Sequence, residues 1–385
     1  MAKHPIYLDH AAATPIDPTV LQAMQPYFSE RFYNPSATYN AANETRKSLE
    51  NARADVAHWL GARPAEIIFT AGGTEGNNLA IHGIVRQHIV RHSQKPNIVV
   101  SSIEHESVLE PANEYDCRKV AVQPDGRLDL DDLRKKINKN TVLVSVMYAN
   151  NEVGTVQPIR EIAKIIAEKR TERGADYIPL LFHTDACQAA NYLDLHVARL
   201  GVDFMTINGG KIYGPKQSGV LYVKGGVQLK PLITGGGQER GLRSGTENVA
   251  AAVGLAKALE LVQTDRREES QRLQDLQGLF IQGVTKELPQ AIINGSQKFR
   301  LPNNVHLTLP GQDNERLLIQ LDEAGILAAA GSACAADSGE PSHVLKALGV
   351  SDNDARASLR FTMGRDTTEA MAKQTVQTLA ELLLP

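Results

Sequence analysis

Cysteine is scarce in this sequence. Its 385 residues include three cysteines, Cys117, Cys187 and Cys334. Three cysteines cannot build a disulfide framework, and their spacing matches no zinc-binding pattern. We therefore expect a reduced, cytoplasmic compartment and no metal site. A cysteine with a function in such a chain is more readily a reactive thiol than a structural one.

Long apolar runs and an excess of charge are also missing. No window approaches the roughly 18 consecutive apolar residues of a membrane span, and residues 1–8 contain no apolar core of an export signal. A formal net charge of −3 gives no electrostatic reason to expect nucleic acid as the main ligand. A hydrophobic share of 42% and a charged share of 22% are ordinary for a soluble globular protein, and the length allows two domains. We expect neither a membrane nor a direct nucleic-acid partner.

Apolar runs alternate with helical patterns through the first two thirds of the chain. The runs predict buried strands over residues 66–70, 98–102, 141–147, 178–184, 204–207 and 219–223. Helical patterns lie between several of them, at 74–91, 129–137 and 159–173. This alternation favours an α/β fold, a largely parallel sheet covered by helices on both faces.

The last third of the chain has a different pattern. A long helical stretch runs from Asn248 to about Leu288. It is followed by predicted strands at 304–309 and 359–363 and predicted helices at 315–324 and 368–384. This order is typical of a smaller α+β unit. Residues 335–341 are the best candidate for a mobile loop.

One lysine lies among glycines in Asn-Gly-Gly-Lys-Ile-Tyr-Gly-Pro at 208–215, and Asp185 lies 26 residues before it. Lys211 and Asp185 each follow a run predicted to be a buried strand. A cofactor with an aldehyde on a pyridine ring needs a lysine amine to hold as a Schiff base. It also needs a carboxylate that keeps its ring nitrogen protonated. The pair indicates such a cofactor, and a loop lysine in water is the alternative.

Glycines followed by a hydroxyl come directly after the predicted strand at 66–70, in Ala-Gly-Gly-Thr-Glu-Gly. They open a predicted helix, whose free backbone N–H groups and dipole suit a phosphate group. The alternative is that Thr74 is an ordinary N-cap and that the glycines form a turn.

Polar residues follow three of the predicted strands, namely His105, the pair Asn150 and Asn151, and Asp185 with Gln188. Residues beyond the carboxyl ends of parallel strands line the ligand crevice of an open α/β sheet. Their convergence on one edge is a stronger indication of a site than any single motif. For His105 alone, a surface position between two glutamates is the alternative.

Two residues of the last third are further candidates. Cys334 lies in a segment of small residues, which suits an accessible nucleophile that must travel. Arg360 is a charge within a strand-like run, so it must be paired, and its guanidinium fits a substrate carboxylate bidentately. The alternative for Arg360 is a structural salt bridge.

Together these motifs resemble those of the pyridoxal-phosphate-dependent cysteine desulfurases, the NifS/IscS-like family of fold type I. The resemblance covers essentially the whole chain. It includes Tyr-Leu-Asp-His-Ala-Ala-Ala-Thr-Pro at 7–15, Asn-Asn-Glu-Val-Gly at 150–154, His-Thr-Asp-Ala-Cys-Gln at 183–188 and Gly-Ser-Ala-Cys at 331–334. It implies a mainly parallel seven-stranded sheet, a large cofactor-binding domain over 15–261, and a small domain formed by 1–14 and 262–385. The segment 331–341 has the length of the long-loop subgroup, which delivers sulfur to separate acceptors.

The resemblance also implies catalytic roles. Lys211 would hold pyridoxal phosphate and move the substrate α-proton, and Asp185 would pair with the pyridine nitrogen. His105 would stack on the ring and exchange protons with the substrate. Cys334 would attack the substrate sulfur and carry it away as a persulfide.

Binding roles follow from the same resemblance. Backbone and side-chain donors of Gly73, Thr74 and Asn208 would hold the phosphate, with Thr246 supplied by the partner subunit of a homodimer. Gln188 and Asn151 would contact the ring oxygen or the substrate. Asn34 and Arg360 would receive the substrate carboxylate.

Three departures from the family pattern concern the cofactor and the substrate. The family usually has Ser-x-His-Lys where this chain has Asn-Gly-Gly-Lys, so Asn208 can still donate a hydrogen bond and Gly210 cannot. Gln217 stands where the family usually has glycine, and Tyr39 replaces a common histidine. We expect weaker cofactor binding, with Lys211 and the other catalytic residues intact.

The predicted activity is that of a cysteine desulfurase, which forms L-alanine from L-cysteine and passes sulfur to acceptors such as an iron–sulfur scaffold or the tRNA thiolation machinery. One alternative is a selenocysteine lyase, or another β-elimination or transamination enzyme. A non-catalytic assembly partner is a second. The acceptor, and ligation of an iron–sulfur cluster by Cys334 in a complex, stay open.

Overall fold

The computed structural model describes residues 5–91, 95–174, 179–331 and 340–383. Within these ranges the strands are β1 (Ile6–Tyr7), β2 (Ile67–Thr70), β3 (Asn97–Ser101), β4 (Asp116–Val120), β5 (Thr141–Ser145), β6 (Leu181–Asp185), β7 (Phe204–Asn208), β8 (Gly219–Val223), β9 (Ile292–Ile293), β10 (Asn304–Thr308), β11 (Ile326–Leu327) and β12 (Ser358–Thr362). The helices are α1 (Pro18–Met24), α2 (Pro26–Ser29), α3 (Asn40–Leu60), α4 (Gly73–Arg91), α5 (Glu106–Asn113), α6 (Leu130–Lys136), α7 (Ile159–Arg173), α8 (Val197–Leu200), α9 (Val249–Thr264), α10 (Arg266–Glu287), α11 (Asn314–Glu323), α12 (His343–Ala347), α13 (Asp352–Ala355) and α14 (Glu369–Leu383).

The large sheet has seven strands in the order β2-β8-β7-β6-β5-β3-β4. The pairs from β7 to β4 are parallel, whereas β8 runs antiparallel to both β2 and β7. This arrangement confirms the predicted α/β fold with a mainly parallel seven-stranded sheet. The chain continues from β3 to β4 on one side of the sheet and from β5 to β6 and β7 on the other. The order therefore reverses between β3 and β5, and an open crevice lies at the carboxyl ends of these two strands.

Both faces of the sheet are covered. Val99 and Val144 face one apolar core, and their neighbours Ile98, Val100 and Leu143 face a second core on the other side. Successive side chains of a strand point to opposite faces, so a strand buried on both sides reads as a continuous apolar run. This is why apolar runs in the sequence predicted most of these strands.

The predicted helical stretch from 248 to 288 is divided into two helices. The chain leaves helix α9 at Asp265, where φ is −88° and ψ is 0°, and α10 begins at the next residue. The sequence patterns also do not predict the 21-residue helix α3 or the edge strand β4. Strand β4 has the half-exposed, charged sequence Asp-Cys-Arg-Lys-Val, which gives no apolar run. The beginning of the predicted strand at 178 lies outside the described residues.

The N-terminal segment joins the C-terminal part of the chain. Strand β1 pairs in parallel with β11, and Asp9 forms a bridge with Thr362 at the end of β12. Strand β12 itself lies in a three-stranded antiparallel sheet with β10 and β9. The pairing is compatible with the predicted small domain of 1–14 and 262–385, and the exact division stays a prediction. Across the described residues, no helix combines the length and the apolar composition needed to cross a bilayer.

Candidate active site

A cavity of about 200 Å³ lies at the carboxyl ends of the parallel strands. Strands β3, β5, β6 and β7 end on this side, and helix α4 begins here after β2. The cavity wall includes most of the residues predicted from the sequence, namely Gly73, Thr74, His105, Asn151, Asp185, Gln188, Asn208, Lys211 and Arg360. The convergence of polar strand ends that the sequence indicated is therefore present in the fold.

Asp185 is the last residue of β6 and is held by two donors. Asn77 Nδ2 donates to its Oδ2 at 2.7 Å, and the Cys187 backbone N–H donates to its Oδ1 at 2.9 Å. Asn77 Nδ2 also lies 2.9 Å from the hydroxyl of Ser107. The carboxylate is thus buried in a fixed orientation, which suits an ion pair with a protonated ring nitrogen.

The Lys211 amine reaches the cavity from the turn that follows β7. Its Nζ donates to the backbone carbonyls of Ala11 at 2.8 Å and Ala12 at 2.6 Å. Gln188 Nε2 donates to the same Ala11 carbonyl at 3.0 Å. The N-terminal motif at 7–15 therefore forms one wall of the cavity, and two neutral carbonyls orient the amine.

His105 caps helix α5 from the end of the segment after β3. Its Nδ1 accepts from the backbone N–H of Ser107 at 3.0 Å. Because Nδ1 is an acceptor there, the neutral imidazole carries its proton on Nε2. Nε2 lies 3.6 Å from an oxygen of Glu106. His105 thus lines the cavity with Nδ1 engaged by Ser107 and with Nε2 as its donor.

The start of helix α4 forms a cradle for an anion. The first N–H groups of a helix have no partner within the helix and attract negative charge. A Cβ added at Gly73 would come 2.8 Å from Cys187 Sγ, so this position needs glycine. Asn208 Oδ1 accepts from the Gly210 N–H at 3.0 Å, which leaves its amide nitrogen as the donor on the Gly73 side. A groove of about 590 Å³ continues outward past Gly210 and Lys216.

These residues fit pyridoxal phosphate. A lysine amine, a buried carboxylate and an imidazole converge on one cavity, and a helix N-terminus with an added amide donor suits the phosphate. The donor at Asn208 agrees with the expectation from the sequence, and no side chain is available at Gly210. The set therefore matches each part of the cofactor that needs a protein partner.

Arg360 forms the structural salt bridge that the sequence offered as one alternative, and it also lines the cavity. Its side chain is 2% exposed and its Nη2 donates to Asp9 Oδ1 at 2.6 Å, which is a buried salt bridge. Nη1 donates to the Asn151 carbonyl at 3.0 Å. The Nε group is buried and makes no hydrogen bond among the described residues. The guanidinium is thus held by two protein acceptors, and Arg360 lines the cavity.

Several ionisable groups beneath the cavity are held neutral. Burial, together with the nearby charge of Asp185, raises the pKa of Glu104 to about 8. Burial lowers the pKa of His183 to about 4, although Asp185 opposes the shift. Burial and Asp185 raise the pKa of the Cys187 thiol well above its usual value. Cys187 is thus an inert wall residue of the cavity.

The chain is similar to known proteins over nearly its whole length. A profile of the aminotransferase class-V family matches residues 6–373. The chain belongs to the aminotransferase class-V family. It is 40% identical over 386 residues to the cysteine desulfurase IscS of Dictyoglomus turgidum, covering 99% of this chain and 95% of that protein. It is also 40% identical over 369 residues to cysteine desulfurase IscS 1 of Archaeoglobus fulgidus, covering 94% and 93% of the two chains.

Solved structures agree with this family. A NifS-like protein superposes with a TM-score of 0.90 at 32% identity, covering 98% of this chain and 99% of that one. The structure of SspA in complex with cysteine superposes with a TM-score of 0.81 at 34% identity, covering 93% and 98%. The predicted family, its fold and its dependence on pyridoxal phosphate are confirmed.

Three predicted site residues are not part of the cavity wall as described. Asn34 is exposed, and its Oδ1 accepts from the backbone N–H of Ser36 at 2.9 Å. Thr246 is also exposed, and its contribution to a partner subunit stays a prediction. Cys334, and most of the loop predicted at 335–341, lie outside the described residues. Their roles remain predictions.

Sequence reasoning missed two residues that build the site. Asn77 orients Asp185, and Ser107 donates to His105. Asn77 had a signal, because it lies one turn into the helix that begins at the glycine motif. Asn150, which the sequence placed among the polar strand ends, instead faces inward and structures the turn after β5.

Proposed function

We propose that this protein is a pyridoxal-phosphate-dependent cysteine desulfurase that transfers sulfur from L-cysteine to its own Cys334. The reaction class agrees with its similarity, over nearly the whole chain, to curated cysteine desulfurases. The observation that carries the proposal is the meeting of Lys211, Asp185 and His105 in one cavity. Their individual roles are part of the proposal.

Three side chains prepare the carbon chemistry. Pyridoxal phosphate, when bound, supplies an electron sink for electron pairs released at the substrate carbons. Asp185, held by Asn77, would keep the pyridine nitrogen protonated. The Lys211 amine would hold the cofactor and would move the proton at the substrate Cα. His105 exchanges a proton with the substrate through Nε2, since its Nδ1 is engaged with Ser107.

The sulfur step needs no external oxidant. The thiolate of Cys334 forms a bond to the substrate sulfur while the bond between that sulfur and Cβ breaks. The electron pair of the broken bond remains with Cβ, which takes up a proton. L-Cysteine and the enzyme thiol are thereby converted into L-alanine and an enzyme persulfide, with atoms and electrons balanced.

Substrate is held by its carboxylate. Arg360 lines the cavity and has a buried Nε without a hydrogen bond among the described residues. A carboxylate can accept from this group and from an Nη that exchanges Asp9 for the substrate. Asn151 lies beside it on the cavity wall and is suited to the cofactor ring oxygen or the substrate. Asn34 belongs to this group on the family resemblance alone.

The proposals for the sulfur acceptor and for the oligomeric state are based on the relatives. Curated relatives carry the name IscS, and we infer that the persulfide is passed to an acceptor for iron–sulfur cluster assembly or tRNA thiolation. We further infer a homodimer in the cytoplasm, in which Thr246 completes the phosphate site of the other subunit. The exposure of Thr246 leaves it accessible for that contact.

The decisive experiment measures L-alanine and sulfide released from L-cysteine with a reductant, in the presence and absence of pyridoxal phosphate. We expect equal amounts of alanine and sulfide that depend on the cofactor. Selenocysteine is assayed in parallel. Alanine from selenocysteine alone would indicate a selenocysteine lyase, and no product from either substrate would indicate a non-catalytic relative.

A further inference from the structure

A buried glutamate lies between the two ends of the chain segment that carries Cys334. Glu152 is 1% exposed and lies in the turn after β5, next to the cavity residue Asn151. The described chain stops at Gly331 and resumes at Glu340. We call the flanking residues 329–331 the first stem and 342–343 the second stem. Each stem contacts Glu152 or a residue of the cavity wall close to it.

The second stem is tied directly to this carboxylate. The hydroxyl of Ser342 donates to Glu152 Oε2 at 2.5 Å. The next residue, His343, donates from Nε2 to the backbone carbonyl of Glu104 at 2.9 Å. Glu104 immediately precedes His105 of the cavity. The stem is therefore fixed to two strand ends of the active site.

The first stem passes the same carboxylate. A Cβ added at Gly331 would lie 3.3 Å from Glu152 Oε2, so the backbone of the stem packs against it. Two residues earlier, Ala329 exchanges backbone hydrogen bonds with Arg360, at 2.6 Å and 3.2 Å. Arg360 is the residue proposed to hold the substrate carboxylate. One carboxylate oxygen of Glu152 thus lies beside both stems.

The turn around Glu152 is itself rigid. Asn150 Oδ1 accepts from the N–H groups of Glu152 and Val153, both at 2.9 Å. Asn304 Nδ2 donates to the Glu152 carbonyl at 2.8 Å. Burial raises the pKa of the Glu152 carboxyl, against the effects of Ser342, His343 and Arg360. Burying a carboxyl group in a fixed turn costs free energy of folding. The contacts that Glu152 makes there are therefore expected to serve a function.

We propose that Glu152 is a positioning residue that anchors both stems of the Cys334-bearing segment to the active site. It acts through Ser342 and Gly331 and does not touch the substrate. The proposal rests on the desulfurase function, in which the Cys334 thiolate must meet the substrate sulfur. It predicts that loss of the anchor slows sulfur transfer while cofactor binding and the first steps at carbon are retained.

The test uses the cofactor-loaded enzyme and the variants Glu152→Ala, Ser342→Ala and Glu152→Gln. The first two remove the hydrogen bond from either end, and the third keeps an acceptor for the Ser342 hydroxyl. Single turnovers with L-cysteine are followed by the absorbance response of the cofactor and by mass spectrometry of the persulfide on Cys334. We expect persulfide formation to slow by about ten-fold or more in both alanine variants, with the absorbance response within about two-fold of wild type. Glu152→Gln should stay close to wild type in both.

A matched control is Glu66→Ala. Glu66 is also a buried carboxyl, 8% exposed, but it is bonded to Arg63 and Gly225 away from the cavity. It should lower the melting temperature without changing the ratio of the two rates. If Glu152→Ala slows the absorbance response as much as persulfide formation, or slows neither, the proposal is overturned. A Glu152→Gln variant as impaired as Glu152→Ala would also overturn it.

A substrate-free measurement separates this proposal from the proposed function. Hydrogen exchange of peptides covering 326–331 and 342–348 is compared among the same variants. Both alanine variants should exchange at least about five-fold faster in the 342–348 peptide, since losing a buried hydrogen bond lowers the free energy of local opening. Glu152→Ala should also speed exchange in the 326–331 peptide, because Gly331 packs against its carboxylate. Unchanged exchange in both peptides would contradict the anchor. Faster exchange in an enzyme that forms no alanine would instead reject the desulfurase function alone.

Discussion

At the scale of single residues, two side chains of the proposed site act on different atoms of the substrate. Lys211 reaches the cavity, and in the proposed reaction its amine acts on carbon. In the same proposal Cys334 acts on sulfur. Because the steps are separable, substitutions at the two residues should fail at different points.

Lys211→Ala should abolish both the absorption band of the lysine-bound cofactor and alanine formation. Cys334→Ala should retain that band and its response to L-cysteine, while sulfur transfer to an acceptor fails. Absorption spectra and alanine and persulfide assays on the two variants test this. Full sulfur transfer by Cys334→Ala would remove the role proposed for that cysteine.

Gly210 offers no side-chain donor to the phosphate cradle, where the family resemblance predicts a histidine. A Cβ there would meet Asn208 Oδ1 at 3.5 Å and Lys216 Cγ at 3.6 Å, which are ordinary contacts. A Cβ is therefore accommodated at this position, which lines the groove beside the cradle. One charge-assisted hydrogen bond contributes about 1.5–3 kcal/mol, so Gly210→His should lower the cofactor dissociation constant by roughly ten- to a hundred-fold.

Fluorescence titration of the apo-protein with pyridoxal phosphate measures this constant. Gly209→His is the contrasting variant, because a Cβ at 209 would lie 2.1 Å from Ser218 Oγ and must disrupt the turn. It should weaken cofactor binding and stability together. Equal dissociation constants for wild type and Gly210→His would show that the cradle is already satisfied.

Glu104 makes folding stability depend on pH. Its pKa is raised by burial from 4.5 to about 8, so the folded state keeps a proton that the unfolded state releases. The stabilising contribution of the protonated Glu104 is fully present below pH 4.5, and it is lost as the pH rises through about 8. Each pKa unit corresponds to about 1.4 kcal/mol, so the loss amounts to several kcal/mol. Glu104→Gln cannot ionise and should gain stability relative to wild type as the pH rises from 5 to 9.

Urea unfolding at these pH values tests the prediction. Glu66→Gln should change stability with pH in the opposite direction, because the pKa of Glu66 is lowered in the folded state. Burial of Glu66 is outweighed by hydrogen bonds from Arg63 and Gly225, which lower the pKa of its carboxyl. Its stabilising contribution is present above the unfolded pKa and is lost at acid pH. Parallel pH trends for the two glutamine variants would refute the assignment for Glu104.

At the scale of elements, the turn between β7 and β8 is strained. Gln217 has a φ of +56°, in the left-handed region that favours glycine. The departure from the family pattern at this position therefore has a conformational cost. The turn carries Lys211 at its start and borders the groove next to the phosphate cradle.

Gln217→Gly should raise the free energy of unfolding by about 0.5–1 kcal/mol, because relief of the left-handed strain exceeds the added chain entropy. Thermal unfolding measures the change. Lys216→Gly is the neighbouring control. Lys216 is not one of the described residues with a positive φ. Glycine there relieves no strain and should therefore only lower the free energy of unfolding. A lower melting temperature for Gln217→Gly would mean that the glutamine side chain compensates for its backbone.

At the scale of the whole molecule, the phosphate cradle is open toward solvent in a single chain. The groove beside Gly73 and Asn208 ends at Lys216 and Gln217, which are exposed. Thr246 is exposed as well and does not line this groove. A second subunit that supplies Thr246 would complete the site. In a two-fold dimer the contact is reciprocal, so each subunit would complete the site of the other.

Hybrid dimers test this prediction. Chains with Lys211→Ala and chains with Thr246→Ala are co-expressed with different affinity tags, and the mixed dimer is isolated. If Thr246 acts across the interface, the one intact lysine receives an intact threonine from its partner. Cofactor affinity and about half of the wild-type activity per dimer should return. A mixed dimer as weak as Thr246→Ala, or an active monomer by light scattering, would exclude the exchange.

The sequence by itself determined the class of the fold and most of the site. Buried parallel strands read as apolar runs, and the chemistry of the cofactor requires a lysine and a carboxylate, so β5, β6, β7, Lys211 and Asp185 could be located without coordinates. The motif order then identified the family. These features are local in sequence, or depend on residue type alone.

Only the tertiary structure decided the rest. Strand β4 is a charged edge strand, and it is defined by its pairing with β3 rather than by its composition. The role of Asn77 depends on its approach to Asp185, and that of Glu152 on its contact with Ser342, 190 residues away. Hydrogen bonds between residues so distant in sequence leave no periodic pattern. They arise when the chain folds and brings the strand ends together.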